Sequence, residues 1–351
     1  MFKKRGFKVK THLVIGYKNF SKECNISHIG MGVTAAYTAK TLSQNGYYAE
    51  ARPLHGADDL TAYIIEQEAG LRPVTHVVIC AQWIPAVSLA QLARRFPYVK
   101  FAINCHSNVG FLQAEPNAIN LVRAAIDLET TLPNFHASSN NERLVRALQN
   151  MYGRPVTYLP NLYNTTGQEF VQRPSFCGGV IKIGAFGSHR IYKNFSTAIA
   201  ASIELINQLK VHGEIWINSG RSDGAGAVVY NTAVAWTRGL PNVTLKEFPW
   251  ASWPEFKRQV GAMDLLMQPS YTETFNNVTA DGICEGVPSV VGPSIEWVPD
   301  YWKADIDDSG SVAAVGRRLL GVPHIAARDG LEALKRYVQR GLPYWRDFLS
   351  L

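Results

Sequence analysis

Short β-rich runs alternate with amphipathic helical segments along most of the chain, and this alternation restricts the possible folds more than any other feature. Such repetition is typical of a parallel sheet with helices packed on its faces. The first half therefore predicts one α/β domain. Its predicted strands are 12–16, 48–52, 76–80, 99–104, 135–138 and 157–159, and its predicted helices lie near 33–44, 60–68, 87–96, 118–130 and 141–150.

The same alternation resumes after an irregular segment. Residues 160–179 combine Pro, Asn, Thr and Gly without periodicity, which is typical of a linker. A chain of 351 residues also exceeds one typical α/β core. We therefore predict an α/β fold with two Rossmann-like, doubly wound domains that face a cleft. The predicted parts are an N-terminal domain over 1–160, a linker over 161–179, a C-terminal domain over 180–325 and a C-terminal helix over 326–351 that packs back on the first domain.

Composition places the chain among ordinary globular proteins. Hydrophobic residues make up 46% and charged residues 18% of the sequence. No apolar run approaches the roughly 20 residues that span a bilayer, and residues 1–10 are basic without an apolar stretch of signal-peptide length. We therefore expect a cytoplasmic protein. The five cysteines never occur as Cys-x-x-Cys, so we expect reduced core thiols rather than disulfides or a zinc site.

The net charge of +7 lies entirely in the first part of the chain. Residues 1–160 hold 17 Lys and Arg against 10 Asp and Glu, whereas residues 161–351 hold 18 of each. A local basic excess of this kind favours a polyanionic partner, either nucleic acid or an anionic membrane surface. A solvated basic face would give the same count, so the charge alone leaves the partner open.

The most informative segment is 263–293, in which a predicted strand ends in a polar loop that leads into a helix. Two acidic residues, Glu273 and Asp281, lie eight positions apart in it. If the helix begins near Asn276 or Asn277, its first amide groups and its dipole favour an anion such as a diphosphate. The carboxylates can accept hydrogen bonds from sugar hydroxyls on either side of the phosphates. The segment therefore predicts a site for a nucleotide-sugar.

This segment resembles the donor-binding signature of the large retaining nucleotide-sugar glycosyltransferase family with the GT-B fold, of the family-four type. The resemblance implies that Glu273 faces the transferred sugar, that amides of the following loop bind the diphosphate, and that Asp281 holds the ribose of the nucleotide. Asp281 stands where Glu is usual, so its reach is shorter, and Asn276 stands where Gly is common. The matching residues are Pro269, Ser270, Glu273, Phe275, Asn276, Asn277, Val278, Asp281, Gly286, Val287 and Pro288.

A second element supports the first one. After a predicted strand at 181–186, the chain makes a glycine turn at Gly187 and continues with Arg190 and Lys193 into a helix. Glycine lets the backbone approach a ligand, and the basic side chains can bind phosphate oxygens. The same family is similar here, with a Gly-rich turn, an Arg and a Lys. In many members the Arg lies five residues before the Lys, where this chain has Ser188.

Three further positions are candidates for ligand contact. By resemblance, Trp250 or its backbone lies against the nucleotide base, although a packed aromatic ring would explain the residue equally well. Gly30 and Gly32 are predicted to form a glycine turn that enters a helix. The resemblance implies that this loop touches donor phosphate or acceptor, although a plain turn would show the same pattern. His106 follows a predicted strand, which places it at the edge of the sheet where ligands bind. We expect it to contact sugar or acceptor rather than act as a general base.

These features together predict a glycosyltransferase that needs no metal or other cofactor. Arg190, Lys193 and the helix amides would neutralise the departing diphosphate, which is the main catalytic contribution. The resemblance implies retention at the anomeric carbon and a nucleotide-sugar donor, with a UDP-sugar such as UDP-glucose preferred. An inverting reaction would instead need a base in the first domain, for which Glu115 and Asp127 are available.

The acceptor is open between three hypotheses. The basic first domain and a loose similarity to glycosyltransferases of bacterial viruses favour a hydroxymethylated pyrimidine in DNA, which the enzyme must take out of the duplex. A lipid-linked or cell-surface glycan would bring the same basic face to anionic headgroups, as a peripheral membrane contact. A third reading is a nucleotide-sugar-binding protein without transferase activity.

Overall fold

The computed structural model describes residues 11–18, 29–70, 72–222 and 225–350. The chain forms two compact units, each with one parallel sheet. Unit 1 comprises Met1–Asn164 and Arg340–Leu351, and unit 2 comprises Thr165–Gln339. The two-domain α/β fold class expected from the alternation of strands and helices is confirmed.

The sheet of unit 1 has six parallel strands in the order β2-β1-β3-β4-β5-β6. Strand β3 is buried at every position, as expected for a parallel sheet with helices on both faces. The strands are β1 (His12–Lys18), β2 (Tyr48–Leu54), β3 (His76–Cys80), β4 (Lys100–Cys105), β5 (Phe135–Ser139) and β6 (Thr157–Tyr158). The helices are α1 (Ile29–Gln44), α2 (Ala57–Glu68), α3 (Ala86–Arg95), α4 (Val109–Leu112), α5 (Pro116–Glu129) and α6 (Glu142–Tyr152).

The sheet of unit 2 has five parallel strands in the order β11-β10-β7-β8-β9. Its strands are β7 (Val180–Ala185), β8 (His212–Ser219), β9 (Val243–Pro249), β10 (Leu265–Gln268) and β11 (Ser289–Val291). Its helices are α7 (Phe195–Leu209), α8 (Gly226–Thr237), α9 (Trp253–Gly261), α10 (Asn277–Cys284), α11 (Ser309–Gly321) and the first part of α12 (Pro323–Ser350). Of these, α11 was not predicted from the sequence pattern.

Several helices begin at side chains that satisfy their first amide groups. The Asn141 side chain accepts a hydrogen bond from the Leu144 amide at 2.8 Å, and α6 ends at Gly153, whose φ is 61°. Ser252 and Glu255 form a capping box at the start of α9. These local signals fix where the helices start after the carboxyl ends of the strands.

Helix α12 begins in unit 2, and its last residues, from Arg340 onward, belong to unit 1. There, the indole of Trp345 donates to the Pro160 carbonyl at 2.8 Å, and Phe348 is buried. The last turns of the helix therefore supply part of the hydrophobic core of unit 1. No helix in the described part of the chain is long and apolar enough to cross a membrane.

The cysteines are less uniform than expected. Cys80, Cys105 and Cys284 are buried, and burial raises the pKa of the Cys80 and Cys105 thiols to about 12. Cys177 is exposed, so the prediction of a core thiol is wrong at this position, which lies in the irregular segment before β7. Cys24 lies outside the described residues.

Candidate functional site

The carboxyl ends of β7 and β10 are neighbours in the sheet of unit 2, and most of the predicted site residues follow them. After β7 the chain turns at Gly187, whose φ of 129° favours glycine. The Gly187 amide donates to Oδ1 of Asn218, at the end of β8, at 2.8 Å. A side chain at position 187 would also lie 3.7 Å from Cε of Lys193. That distance is an ordinary van der Waals contact, so the backbone conformation rather than the available space favours glycine here.

The turn after Gly187 is tied to the loop that follows β10. Arg190 has an extended backbone, and a single 3₁₀ turn covers Ile191–Lys193. Asn194 then adopts a left-handed conformation. Its side-chain Nδ2 donates to the carbonyls of Pro269 and Ile306 at 3.1 and 2.9 Å. These bonds hold the basic turn against the loop that carries the acidic residues.

Lys193 and Glu273 form an ion pair at this junction. Nζ of Lys193 donates to Oε1 of Glu273, and the two side chains are only 14% and 11% exposed. The same carboxylate oxygen accepts a hydrogen bond from Nδ2 of Asn276 at 3.2 Å. The structure thus brings three of the predicted site residues into one hydrogen-bonded group, which we call the Lys193–Glu273–Asn276 group.

Asn276 explains how this chain does without the glycine that is common at its position. Its φ is 69°, in the left-handed region that Asn tolerates better than most residues other than glycine. Its Oδ1 caps α10 by accepting from the Thr279 amide at 2.9 Å. Its Nδ2 also donates to Oε1 of Gln268 at 3.1 Å. Asn in place of Gly at position 276 therefore preserves the backbone turn and adds a helix cap.

Helix α10 begins where the sequence predicted, at Asn277. The first amide groups of an α-helix point outward from its N-terminus, and with the helix dipole they make this end of α10 attractive to an anion. Phe275 anchors the loop before it. Its buried ring stacks on Trp297 with centroids 5.1 Å apart, and its carbonyl accepts from the Trp297 indole at 2.7 Å. Phe275 therefore holds the loop by packing, and the next residue, Asn276, caps the helix that follows.

The second acidic residue is Asp281. It lies in the second turn of α10 and is buried. The indole Nε1 of Trp253 donates to both of its carboxylate oxygens at 3.3 Å. Trp253, the first residue of α9, was not singled out in the sequence.

Trp250 follows the end of β9 and is half-buried. The guanidinium carbon of Arg221 lies 5.2 Å from the centroid of its ring, a cation–π distance. Its indole nitrogen is buried and has no hydrogen-bond partner within the described ranges. A buried donor of this kind is suited to a ligand or a water molecule.

In unit 1, His106 follows β4 as expected, at the carboxyl edge of the sheet. Its Nε2 lies 3.4 Å from Nδ2 of Asn104. Burial lowers the pKa of His106 to about 4, so the ring is neutral near pH 7. The two residues considered as bases for an inverting reaction, Glu115 and Asp127, are exposed, and Asp127 pairs with Arg123.

Gly30 and Gly32 are not placed in a turn. The prediction of a glycine turn before a helix at 33–44 is wrong, because α1 already begins at Ile29 and contains both residues. A side-chain carbon at Gly32 would lie 3.2 Å from the ring of Tyr17, at the end of β1. Gly32 therefore provides close packing between the first helical turns and the strand.

One Asp-x-Asp run occurs in the chain, Asp305-Ile306-Asp307. Such runs hold divalent ions in some sugar transferases, so its position matters. It forms an exposed turn before α11, in which Oδ1 of Asp305 accepts from the Asp307 amide at 3.1 Å and the Asp305 amide donates to Oγ of Ser311. The run shapes the turn that precedes the helix.

Three amide side chains that hold the site were missed in the sequence. Gln268 is buried at the end of β10 and donates to the Phe186 carbonyl at 3.1 Å, while Asn194 and Asn218 make the bonds described above. Their only signal was an Asn or Gln at the end of a strand or directly after a turn. Together they link the loops after β7, β8 and β10.

Neither a family model nor the sequence of a curated protein matches this chain. Solved structures with a similar fold exist. Sucrose-phosphate synthase from Thermosynechococcus elongatus matches with a TM-score of 0.63 and 14% identity, over 97% of this chain and 100% of that one. HepE from Anabaena, solved in complex with UDP and glucose, matches with a TM-score of 0.62 and 13% identity over the same shares.

A third structure gives the same picture. The N-terminal domain of trehalose-6-phosphate phosphatase from Candida albicans matches with a TM-score of 0.62 and 9% identity, over 99% of each chain. At such identities the similarity concerns the fold. The chain thus has the fold of the GT-B glycosyltransferases, with two parallel-sheet α/β domains.

Proposed function

We propose that the chain is a glycosyltransferase that moves a hexose or pentose from a nucleotide-sugar to a hydroxyl acceptor, with the donor held by unit 2. The Lys193–Glu273–Asn276 group carries this proposal. It sets a cation and an oriented carboxylate beside the start of α10, where an anion is favoured. The structural similarity to HepE, which was solved with UDP and glucose, supports a nucleotide-sugar donor and UDP as its nucleotide.

In the proposed reaction, the diphosphate is stabilised as it leaves. Lys193, Arg190 and the first amides of α10 contact its oxygens, and this preorganised charge is the main catalytic contribution. As the diphosphate binds, Lys193 exchanges part of its contact with Glu273 for phosphate oxygens. The carboxylate of Glu273, still oriented by Asn276, then accepts hydrogen bonds from the sugar hydroxyls.

The remaining residues recognise the rest of the substrates. Asp281 binds the ribose, and Trp250 or its backbone lies against the base. In unit 1, His106 contacts sugar or acceptor through its neutral ring, because a pKa of about 4 leaves little imidazolium to act as an acid at pH 7. We propose that the reaction retains the anomeric configuration, as the family resemblance implies. We also propose that it requires no divalent metal.

For the acceptor, we propose a hydroxymethylated pyrimidine in DNA. The basic excess of residues 1–160 supports a polyanionic acceptor, and five of these basic residues lie within residues 1–10. Phosphate contacts from such residues supply most of the affinity of a DNA-modifying enzyme and weaken as salt rises. The reaction would take place in the cytoplasm of a cell infected by a bacterial virus.

The test uses radiolabelled UDP-glucose and two duplexes of one sequence, with and without hydroxymethylated pyrimidines. We expect label on the hydroxymethylated duplex only, with a rate that falls as salt rises. Label in a lipid extract, with none in DNA, would overturn the DNA acceptor and favour a lipid-linked glycan. Binding of nucleotide-sugars without transfer to DNA, lipid or glycan would favour a binding protein, and absence of any binding would overturn the donor site itself.

A further inference from the structure

The contact between Trp253 and Asp281 has no place in the donor signature. The indole Nε1–H is shared between both carboxylate oxygens, at 3.3 Å each, across 28 positions of sequence. Asp281 is 2% exposed, so the contact orients a charged group that solvent scarcely reaches. It joins the start of α9 to the second turn of α10.

Trp253 is itself held from two directions. The capping box of Ser252 and Glu255 fixes the helical turn in which Trp253 is the first residue. One turn further, Nζ of Lys257 lies 5.3 Å from the centroid of the indole ring and pairs with Glu285 at 2.9 Å. The ring therefore has little freedom to leave the carboxylate.

The chemistry of the pair suits the recognition of hydroxyl groups. An indole nitrogen is only a donor, whereas a carboxylate offers about four acceptor positions on its two oxygens. A bond at 3.3 Å to each oxygen is longer than the usual 2.9–3.0 Å and takes one acceptor position on each of them. A carboxylate with about four such positions can still accept a hydrogen bond from a ribose hydroxyl.

The length of the side chain makes this orientation important. Asp has one methylene group fewer than Glu, so Asp281 cannot swing towards a ligand through an additional rotatable bond. Its carboxylate must be set in position by its neighbours. Trp253 is the neighbour whose N–H contacts both oxygens.

We propose that Trp253 is a positioning residue that orients Asp281 towards the ribose hydroxyls, and that it thereby sets a preference for ribonucleotides over deoxyribonucleotides. The inference rests on the donor site proposed above and assigns to it a residue outside the signature. A change at Trp253 should therefore affect only those ligands that carry the hydroxyl groups in question.

Calorimetry on the full chain tests this inference. UDP, GDP and ADP are titrated first, and the tightest of them is then compared with its 2′-deoxy and 3′-deoxy forms. For Trp253→Phe, which keeps an aromatic ring but loses the N–H, we expect the ribonucleotide to bind about tenfold more weakly. Binding of at least one deoxy form should change by less than about twofold, because the contact is already missing there.

Two further variants separate positioning from packing. Trp253→Phe combined with Asp281→Asn should bind no more weakly than Asp281→Asn alone, since Trp253 acts through Asp281. Trp236→Phe, the same substitution at a ring that is 46% exposed on α8, should leave binding unchanged.

Equal losses for the ribonucleotide and both deoxy forms would overturn the inference, as would a Trp253→Phe variant that binds like the parent. A parent protein that binds nucleoside diphosphates without any ribose preference would overturn it while leaving the proposed donor site intact. A parent that binds none of the three nucleotides would overturn the proposed function and this inference together.

Discussion

The ammonium group of Lys193 donates a hydrogen bond to Oε1 of Glu273, although the two residues lie 80 positions apart in the chain. One arrives on the turn after β7 and the other on the loop after β10, and the pairing of these two strands brings them together. The pair keeps the carboxylate oriented and holds a positive charge close to the start of α10. The site is thus organised before a ligand binds.

The two members of this pair should have different roles in ligand binding. We expect Lys193→Met to weaken UDP binding about tenfold, because a charged contact to the phosphates is lost. Glu273→Gln should leave UDP binding nearly unchanged but lower sugar transfer about 100-fold, because Glu273 contacts the sugar. Calorimetry with UDP and a transfer assay measure the two effects. Equal weakening of UDP binding by both substitutions would contradict the assignment.

The stability of the same variants provides a control. Each single substitution removes one charge of a poorly hydrated ion pair and leaves the other charge unbalanced, which should cost about 1–3 kcal/mol in the free energy of unfolding. Lys193→Met combined with Glu273→Gln should recover part of this loss but no transfer activity. A double variant as unstable as the sum of the single variants would show that the pair contributes little to the fold.

Asn276 should be sensitive to the backbone conformation as well as to its hydrogen bonds. Gly and Ala both remove the cap and the contacts to Gln268 and Glu273, but only Ala is strained at a φ of 69°. We therefore expect Asn276→Ala to be about 1 kcal/mol less stable than Asn276→Gly. At Asn231, exposed within α8, the order should reverse, because Gly disfavours a helix. Urea unfolding of the four variants measures this, and the same order at both positions would contradict it.

Arg173 should stabilise unit 2 from within the irregular segment before β7. Its guanidinium donates to the carbonyls of Met263 and Glu285 at 2.8 and 3.1 Å, and also to that of Gly261. Arg173→Ala would leave these carbonyls without their donor, at a cost of about 2–4 kcal/mol. Arg173→Lys should recover only part of it, since an ammonium lacks the planar fork. Thermal unfolding measures the effect, with the exposed Arg238→Ala as control. A change below about 0.5 kcal/mol for Arg173→Ala would contradict this role.

The stability of unit 1 should depend on pH through His76. Burial, with the nearby charges of Lys100 and His136, lowers the pKa of His76 from 6.5 to about 4. The folded state therefore favours the neutral ring. The contribution of the neutral His76 ring to the free energy of unfolding is fully present above pH 6.5. It decreases as the pH falls towards 4, by about 3 kcal/mol in total.

We expect His76→Leu to remove the contribution of His76 but to keep that of His106, whose pKa burial also lowers to about 4. Its free energy of unfolding should therefore vary less between pH 7.5 and 4.5 than that of the parent. Hydrogen exchange of the β3 and β4 amides follows unit 1 separately from unit 2. His55→Gln, at an exposed position of the same unit, should keep the parental dependence. An unchanged pH dependence in His76→Leu would exclude His76 as its source.

The order of strands and helices was readable from the sequence because periodicity depends on which faces are buried. Strand β3 has the predicted bounds, and α10 begins where the loop pattern placed it. The acidic and basic loops were recognised because charged residues after strands stand out against an apolar background. Because neighbouring parallel strands end at the same edge of the sheet, the sequence also predicts that the residues after them lie close together.

The remaining features depended on tertiary contacts. Nothing near Trp253 in the sequence indicates a carboxylate 28 positions away, and Gln268 looks like any polar residue at a strand end. Gly30 and Gly32 were expected in a turn because glycine disfavours helices, yet both lie in α1, where position 32 packs closely against Tyr17. Packing outweighed intrinsic propensity there.

The division of α12 between the units has a consequence for biosynthesis. Residues 340–350 supply Trp345 and Phe348 to unit 1, but the ribosome makes them after the whole of unit 2. A nascent chain that has emerged as far as Asn164 lacks these aromatic side chains. Unit 1 therefore begins synthesis first and completes its folding last, so its nascent form must remain soluble while unit 2 is translated.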